Sequence, residues 1–275
     1  MKRIDQPLKH QERHAACEEH CPTHGPYTAV YALVGGRWVG GHCPRCLEAD
    51  KERQRREERA RQREHRALVM LKRAGVPRRY RSADFESFEP VTEHARRIRD
   101  CCRRYAETFP SRLEAGTNLV LSGAVGNGKT HLACAIVRDV IQRHGYQALY
   151  TSSVSDAVRQ VRRTYDPDSD KSESEILDYL GGVPLLVLDE VGVQTGSEHE
   201  RMVLFEIFNR RYADMRPTIL ISNLGYQDLT RTLGERVIDR LLEDGTAFEF
   251  NWDSYRRSHA TESCAATNNA RASAS

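Results

Sequence analysis

The chain has 275 residues, with 42 Lys/Arg against 39 Asp/Glu, a formal net charge of +3 and 39% hydrophobic side chains. This is enough for one medium domain and a small appended one. No stretch approaches the roughly 18 apolar residues of a membrane helix, and charged Met1–Asp5 has no apolar run behind it, so neither a span nor a secretory leader is expected and the compartment is expected to be the cytosol.

Charge is unevenly spread. Between Lys51 and Arg66 there are eight Lys/Arg and four Glu, and arginine pairs recur at 78–79, 96–97, 103–104 and 162–163. Local patches of this kind can bind phosphate although the average is nearly neutral. Disulfides are not expected among the eight cysteines of a chain kept in a reducing compartment.

Residues 1–47 hold Cys17-x3-Cys21 and Cys43-x2-Cys46, with His20, His24 and His42 among them. Tyr27 to Val39 reads as a β-hairpin turning at Gly35-Gly36. Tetrahedral Zn²⁺ bound by thiolates, with or without one imidazole, would staple a module too small to fold by burial alone. Cys21, Cys43 and Cys46 are the expected ligands; Cys17 is preferred as the fourth and His24 is the alternative. The plainer reading is four unconnected thiols. Residues 48–73 contain no Gly or Pro and predict a charged helix with Glu52–Arg56 and Glu57–Arg61 pairs. A spacer and a partner-binding helix fit it equally.

Residues 74–257 alternate short apolar runs with helical patterns, which predicts an α/β domain with a mainly parallel sheet. The expected strands are 119–121, 148–150, 185–188, 218–222 and 247–250. Helices are expected near 129–143, 154–165, 198–212 and 230–242, with one more ending near Leu180. Residues 258–275, rich in Ala, Ser and Asn, read as a disordered tail.

Gly123-Ala124-Val125-Gly126-Asn127-Gly128-Lys129-Thr130 matches GxxxxGK[ST] between a strand and a helix. Gly123, Gly126, Asn127 and Gly128 would let backbone N–H groups cradle the phosphates of ATP, with the helix N-terminus adding a favourable dipole. Lys129 would reach the β/γ-phosphates and Thr130 would ligate Mg²⁺. The apolar strand Leu185 to Leu188 ends in Asp189-Glu190. Asp189 is expected to hold Mg²⁺ through water, and Glu190 to polarise the attacking water. Asn223, closing the next apolar strand, is either a γ-phosphate sensor or a turn-forming amide. Arg159, Arg162 and Arg163 recur at helical spacing near Tyr165, which suits single-stranded DNA and suits a solvated helix face as well.

Several segments resemble DnaC-type helicase loaders of the AAA+ class. They are Ala74–Tyr80 followed by Phe85 and Phe88, Leu188–Thr195, Leu233–Arg240, and Phe250–Arg256. The resemblance spans about 74–257 and implies an AAA+ ATPase that places a DnaB-type replicative helicase on single-stranded DNA. It also implies that Arg240 is an arginine finger reaching a neighbouring subunit's ATP, that Arg256 senses the γ-phosphate in the same subunit, and that Asn223 is the polar sensor. On spacing alone, Arg236 and Arg240 are an exposed basic helix face. An inter-subunit finger implies self-association, expected at about six protomers on the helicase. The Cys/His head looks like the CPxHG…W…CPxC heads of phage- or prophage-borne relatives. An IstB-like transposition ATPase shares the core and is the rival reading.

Overall fold

The computed structural model describes residues 14–153, 156–157, 172–192 and 198–255. The chain divides into two compact units, Met1–Glu64 and His65–Ser275.

The first unit is a three-stranded antiparallel sheet followed by a helix. β1 (His14–Cys21), β2 (Gly25–Val34) and β3 (Arg37–Gly40) pair in sequence order. The expected hairpin is present, with its turn at Gly35-Gly36, and β1 adds a strand where the sequence reading placed only a ligand knuckle. Among the described residues here, the buried hydrophobic ones are few: Cys21, Ala29 and Cys43. α1 (Pro44–Arg73) begins four residues earlier than expected, because Pro44 sits in the first turn, where a missing N–H costs nothing. The unit boundary falls inside α1, so the linker expected over 48–73 is shared between the units. Ala67, Met70 and Leu71 pack against the core of the second.

The second unit carries a five-stranded sheet in the order β5-β6-β7-β4-β8, every neighbour parallel. Its strands are β4 (Leu119–Gly123), β5 (Ala148–Thr151), β6 (Leu185–Leu188), β7 (Thr218–Ile221) and β8 (Thr246–Phe250). β6 and β7 are buried along their whole length, as expected of parallel strands covered on both faces. One core, under α2 (Glu93–Glu107), α3 (Phe109–Ala115) and α4 (Lys129–Asp139), contains Ile98, Phe109, Leu121, Leu132, Ile136 and Phe250. The other lies under α5 (Glu173–Gly182), α6 (Glu198–Ala213), α7 (Tyr226–Leu233) and α8 (Glu235–Glu243), and contains Leu180, Leu188, Ile207, Leu220 and Leu241.

Local chemistry sets the boundaries. Thr92 caps α2 by accepting from the Ala95 N–H at 3.0 Å, and Ser172 with Glu175 forms a capping box at α5. The single helix expected over 230–242 is two helices, because Gly234 at φ 85° breaks it. The α4 pattern ends in a π-helical turn, Val140–His144, closed by Gly145.

The strand order decides where the site forms. β7 lies between β4, which leads into the Gly-rich loop, and β6, which ends at Asp189. All three deliver their carboxyl ends to one edge, the place where open α/β sheets bind ligands.

Candidate nucleotide site and thiol cluster

At that edge is a cleft of about 470 Å³ whose lining includes Gly126, Asn127, Gly128, Lys129, Thr130, Asp189, Glu190 and Asn223. Gly123, Gly126 and Gly128 have φ values of 122°, 91° and 89°, open to glycine and strained for other residues. A Cβ on Gly126 would also collide with the Ser254 side chain. Lys129 is buried, and its Nζ donates to the Gly123 and Ala124 carbonyls at 2.7 and 2.6 Å. Thr130 Oγ1 donates to Asp189 Oδ2 at 2.9 Å. A hydroxyl and a carboxylate that stand 59 positions apart in sequence thus meet as a pair of hard oxygen donors. Magnesium prefers such donors and keeps much of its water, so the residues fit Mg²⁺ with a phosphate chain.

Glu190 is exposed and sits at φ 52°, an uncommon backbone for a non-glycine residue. Its N–H donates to Asp189 Oδ1 at 2.7 Å, tying the unusual backbone to the neighbouring carboxylate. Asn223, at the end of β7, faces the same cleft.

Asn127 differs from its neighbours. Its side chain is buried and donates to the Phe250 carbonyl at 3.0 Å and to the Trp252 carbonyl. The carboxamide therefore fastens the loop to the segment after β8, leaving the backbone N–H for phosphate. Trp252 and Tyr255 line the cleft from that segment. Tyr255 Oη donates to Glu89 Oε2 at 2.9 Å, and His94 pairs with the Glu249 carbonyl at 3.1 Å and stands edge-on to Trp252. These residues carried no role in the sequence reading, although Trp252 and Tyr255 lie in the box that prompted the resemblance.

Arg240 stands outside the cleft. It donates to Asn209 Oδ1, lies 4.8 Å over the Tyr212 ring and lines a separate cavity of about 310 Å³ with Arg211 and Arg216. It does not serve the cleft of its own chain. Arg256, Arg159, Arg162, Arg163 and Tyr165 lie outside the described residues, as do the tail 258–275 and all but 156–157 of the helix predicted over 154–165.

In the first unit, Cys21, His24, Cys43 and Cys46 come together with their ligand atoms all within 4.8 Å of one another. Cys21 Sγ is 3.5 Å from Cys46 Sγ, and His24 Nδ1 lies 3.7, 3.8 and 3.3 Å from the sulfurs of Cys21, Cys43 and Cys46. A tetrahedral Zn²⁺ with about 2.3 Å Zn–S bonds would set its sulfurs roughly 3.8 Å apart, so the set fits zinc. Cys17, the preferred fourth ligand, is displaced by His24. It lies within β1, exposed, its Sγ facing Glu19 Oε1 at 3.9 Å. Four strand residues separate two side chains by about 13 Å, too far for one ion, whereas the turn after Cys21 folds His24 back. The Thr23 backbone N–H draws the Cys21 thiol down to about 6. Cys46, beside it, is pushed up to about 11 by that neighbour.

The family described as IstB-like ATP binding protein matches residues 49–263. The chain belongs to that family. Within it, the replicative helicase loader DnaC of Buchnera aphidicola (Schizaphis graminum) is 35% identical over 199 residues, 71% of this chain and 79% of that protein. The Escherichia coli K12 loader DnaC is 34% identical over the same lengths. A solved DnaC helicase loader superposes with a TM-score of 0.57 at 25% identity, covering 63% of this chain and 99% of that one. The replication initiator DnaA, solved with AMPPCP and single-stranded DNA, gives 0.53 at 26% identity, covering 65% and 51%. The IstB-like chain is thus a P-loop ATPase of the AAA+ type, with the fold that the sequence pattern predicts.

Proposed function

We propose that this IstB-like protein is an ATP-dependent loader that places a replicative, DnaB-type helicase on single-stranded DNA. The observation that carries the reading is similarity at about one-third identity to proteins named replicative helicase loaders, running through a complete hydrolysis set of Lys129, Thr130, Asp189 and Glu190.

In the mechanism, the backbone of residues 123–130 and the Lys129 ammonium hold the triphosphate. Thr130 and Asp189 would hold Mg²⁺, which neutralises the charge that develops on the transferring phosphoryl group. Glu190 orients and polarises water from the rim of the cleft, and Asn223 contacts the γ-phosphate. Arg240, directed away from its own nucleotide, is suited to another protomer's ATP, which makes the active form an assembly of about six subunits on the helicase. Arg256 is assigned as the γ-phosphate sensor of its own subunit, and Arg159, Arg162, Arg163 and Tyr165 as the single-strand contact, on sequence alone. Similarity to an initiator solved with an ATP analogue and single-stranded DNA supports that ligand pair. Cys21, His24, Cys43 and Cys46 hold Zn²⁺ and stabilise the module that precedes the ATPase.

The test is size-exclusion with light scattering on the protein and its host's replicative helicase, with and without ATP. A stoichiometric complex that responds to nucleotide is expected. No complex, together with ATP-dependent assembly on duplex DNA, would replace the loader with a transposition ATPase.

A further inference from the structure

Tyr150 plays no part in the sequence argument, yet its hydroxyl touches the centre of the hydrolysis site. It is the third residue of β5, the strand beside β6, and its side chain is 5% exposed. Tyr150 Oη donates to Asp189 Oδ2 at 2.6 Å. That oxygen also accepts from Thr130, and Oδ1 accepts from the Glu190 N–H. The carboxylate is held at three points, within the roughly four lone-pair sites that it offers.

The three donors differ in what else they must do. Thr130 would share its oxygen with the ion, and the Glu190 N–H belongs to a backbone in the left-handed region. The phenol lies outside that ligand set. Its hydroxyl is buried and donates to the carboxylate. A buried tyrosine needs some acceptor, but backbone carbonyls usually meet that need. Here the acceptor is the carboxylate whose orientation the chemistry depends on.

We propose that Tyr150 is a positioning residue of the hydrolysis site. Its hydroxyl fixes the Asp189 carboxylate toward Mg²⁺ and, through the Glu190 N–H, steadies the backbone from which the Glu190 carboxylate projects. The inference rests on the reading that Thr130 and Asp189 serve Mg²⁺. Groups that orient a metal-facing side chain in this way cost about 10-fold or more in metal affinity or activity when removed.

The experiment uses the full chain with Tyr150→Phe, which keeps the ring and removes one oxygen. Binding of a fluorescent, non-hydrolysable ATP analogue is titrated with Mg²⁺, and ATP turnover is measured in parallel. The Mg²⁺ needed for half-maximal enhancement of analogue binding should rise roughly 10-fold. Analogue affinity in EDTA and the thermal midpoint should match the parent, and kcat should fall more than KM rises. An Mg²⁺ titration equal to the parent's overturns the proposal. So does equal weakening with and without Mg²⁺, which would make Tyr150 a packing residue. If the parent itself shows no Mg²⁺ dependence, the Mg²⁺ reading of Thr130 and Asp189 falls first and this inference falls with it. Tyr150→Met, also donor-free, is read by the same criteria should the phenylalanine variant fold poorly.

Discussion

The two units stay folded by different means. In the second, two buried clusters flank a five-stranded sheet, and the site is a by-product of strand order: β4, β7 and β6 end side by side, so Gly123, Asn223 and Asp189 converge. In the first, three strands enclose almost no apolar core among the described residues, and four side chains from a turn and a helix start meet at one point. One site follows from a fold that burial already stabilises. On the proposed zinc reading the other site is what stabilises its fold, so ligand loss should silence the first and dismantle the second.

Metal removal is the strongest way to break this contrast. Structural zinc contributes on the order of 10 kcal/mol to small modules. Chelation, or Cys43→Ser, should therefore abolish the amide-exchange protection of 14–47 while 119–123 and 185–188 keep theirs. Equal loss in both regions would show that the units do not stand apart. The binding also depends on pH, because thiols must lose protons to ligate, so the module should become easier to strip as the medium is acidified.

The next largest effect tests the core-built unit. Arg211 is 1% exposed. It donates to Thr218 Oγ1 and to the carbonyls of Leu180, Gly181, Val183 and Pro217, with no carboxylate among these partners. Burial lowers its ionisation to about 9, still protonated at neutral pH. Arg211→Leu should cost roughly 3–5 kcal/mol, because several buried carbonyls lose their donor. The transition of the ATPase unit should fall while the zinc content is unchanged. A shift below about 1 kcal/mol would mean that water replaces the guanidinium.

The smallest effect sharpens the ligand assignment. Cys17→Ser should retain a full complement of zinc, and His24→Ala should bind it more weakly, both read by metal content after gel filtration. Zinc lost from Cys17→Ser but not from His24→Ala would return the fourth position to Cys17.

The nucleotide loop was legible because its fixed residues are contiguous and lie between a strand and a helix. Asp189 was legible because a wholly apolar run ends on it. Tyr150 was not, since its partner is set by strand neighbours that sequence separation conceals. A polar side chain near the carboxyl end of β5 was the only signal. Arg211 reads as a basic residue in the last turn of a helix, where solvent exposure is the ordinary expectation. Cys17 misled because spacing cannot tell a knuckle from a strand, and an extended β1 carries it out of reach. The break at Gly234 was visible as a glycine, but the apolar pattern on either side continued through it.

The strap that closes the nucleotide loop has a consequence for synthesis. β4 takes its edge partner from β8, and Asn127 is fastened to carbonyls at 250 and 252, more than 120 positions later. A nascent chain that has emerged only through α8 carries residues 123–130, Asp189, Glu190 and Asn223 and still lacks the wall against which the loop is set. ATP can therefore act as a folding ligand only late in translation, and a frameshift or stop after the Glu190 codon but before residue 250 leaves a polypeptide with both signature motifs and no finished site.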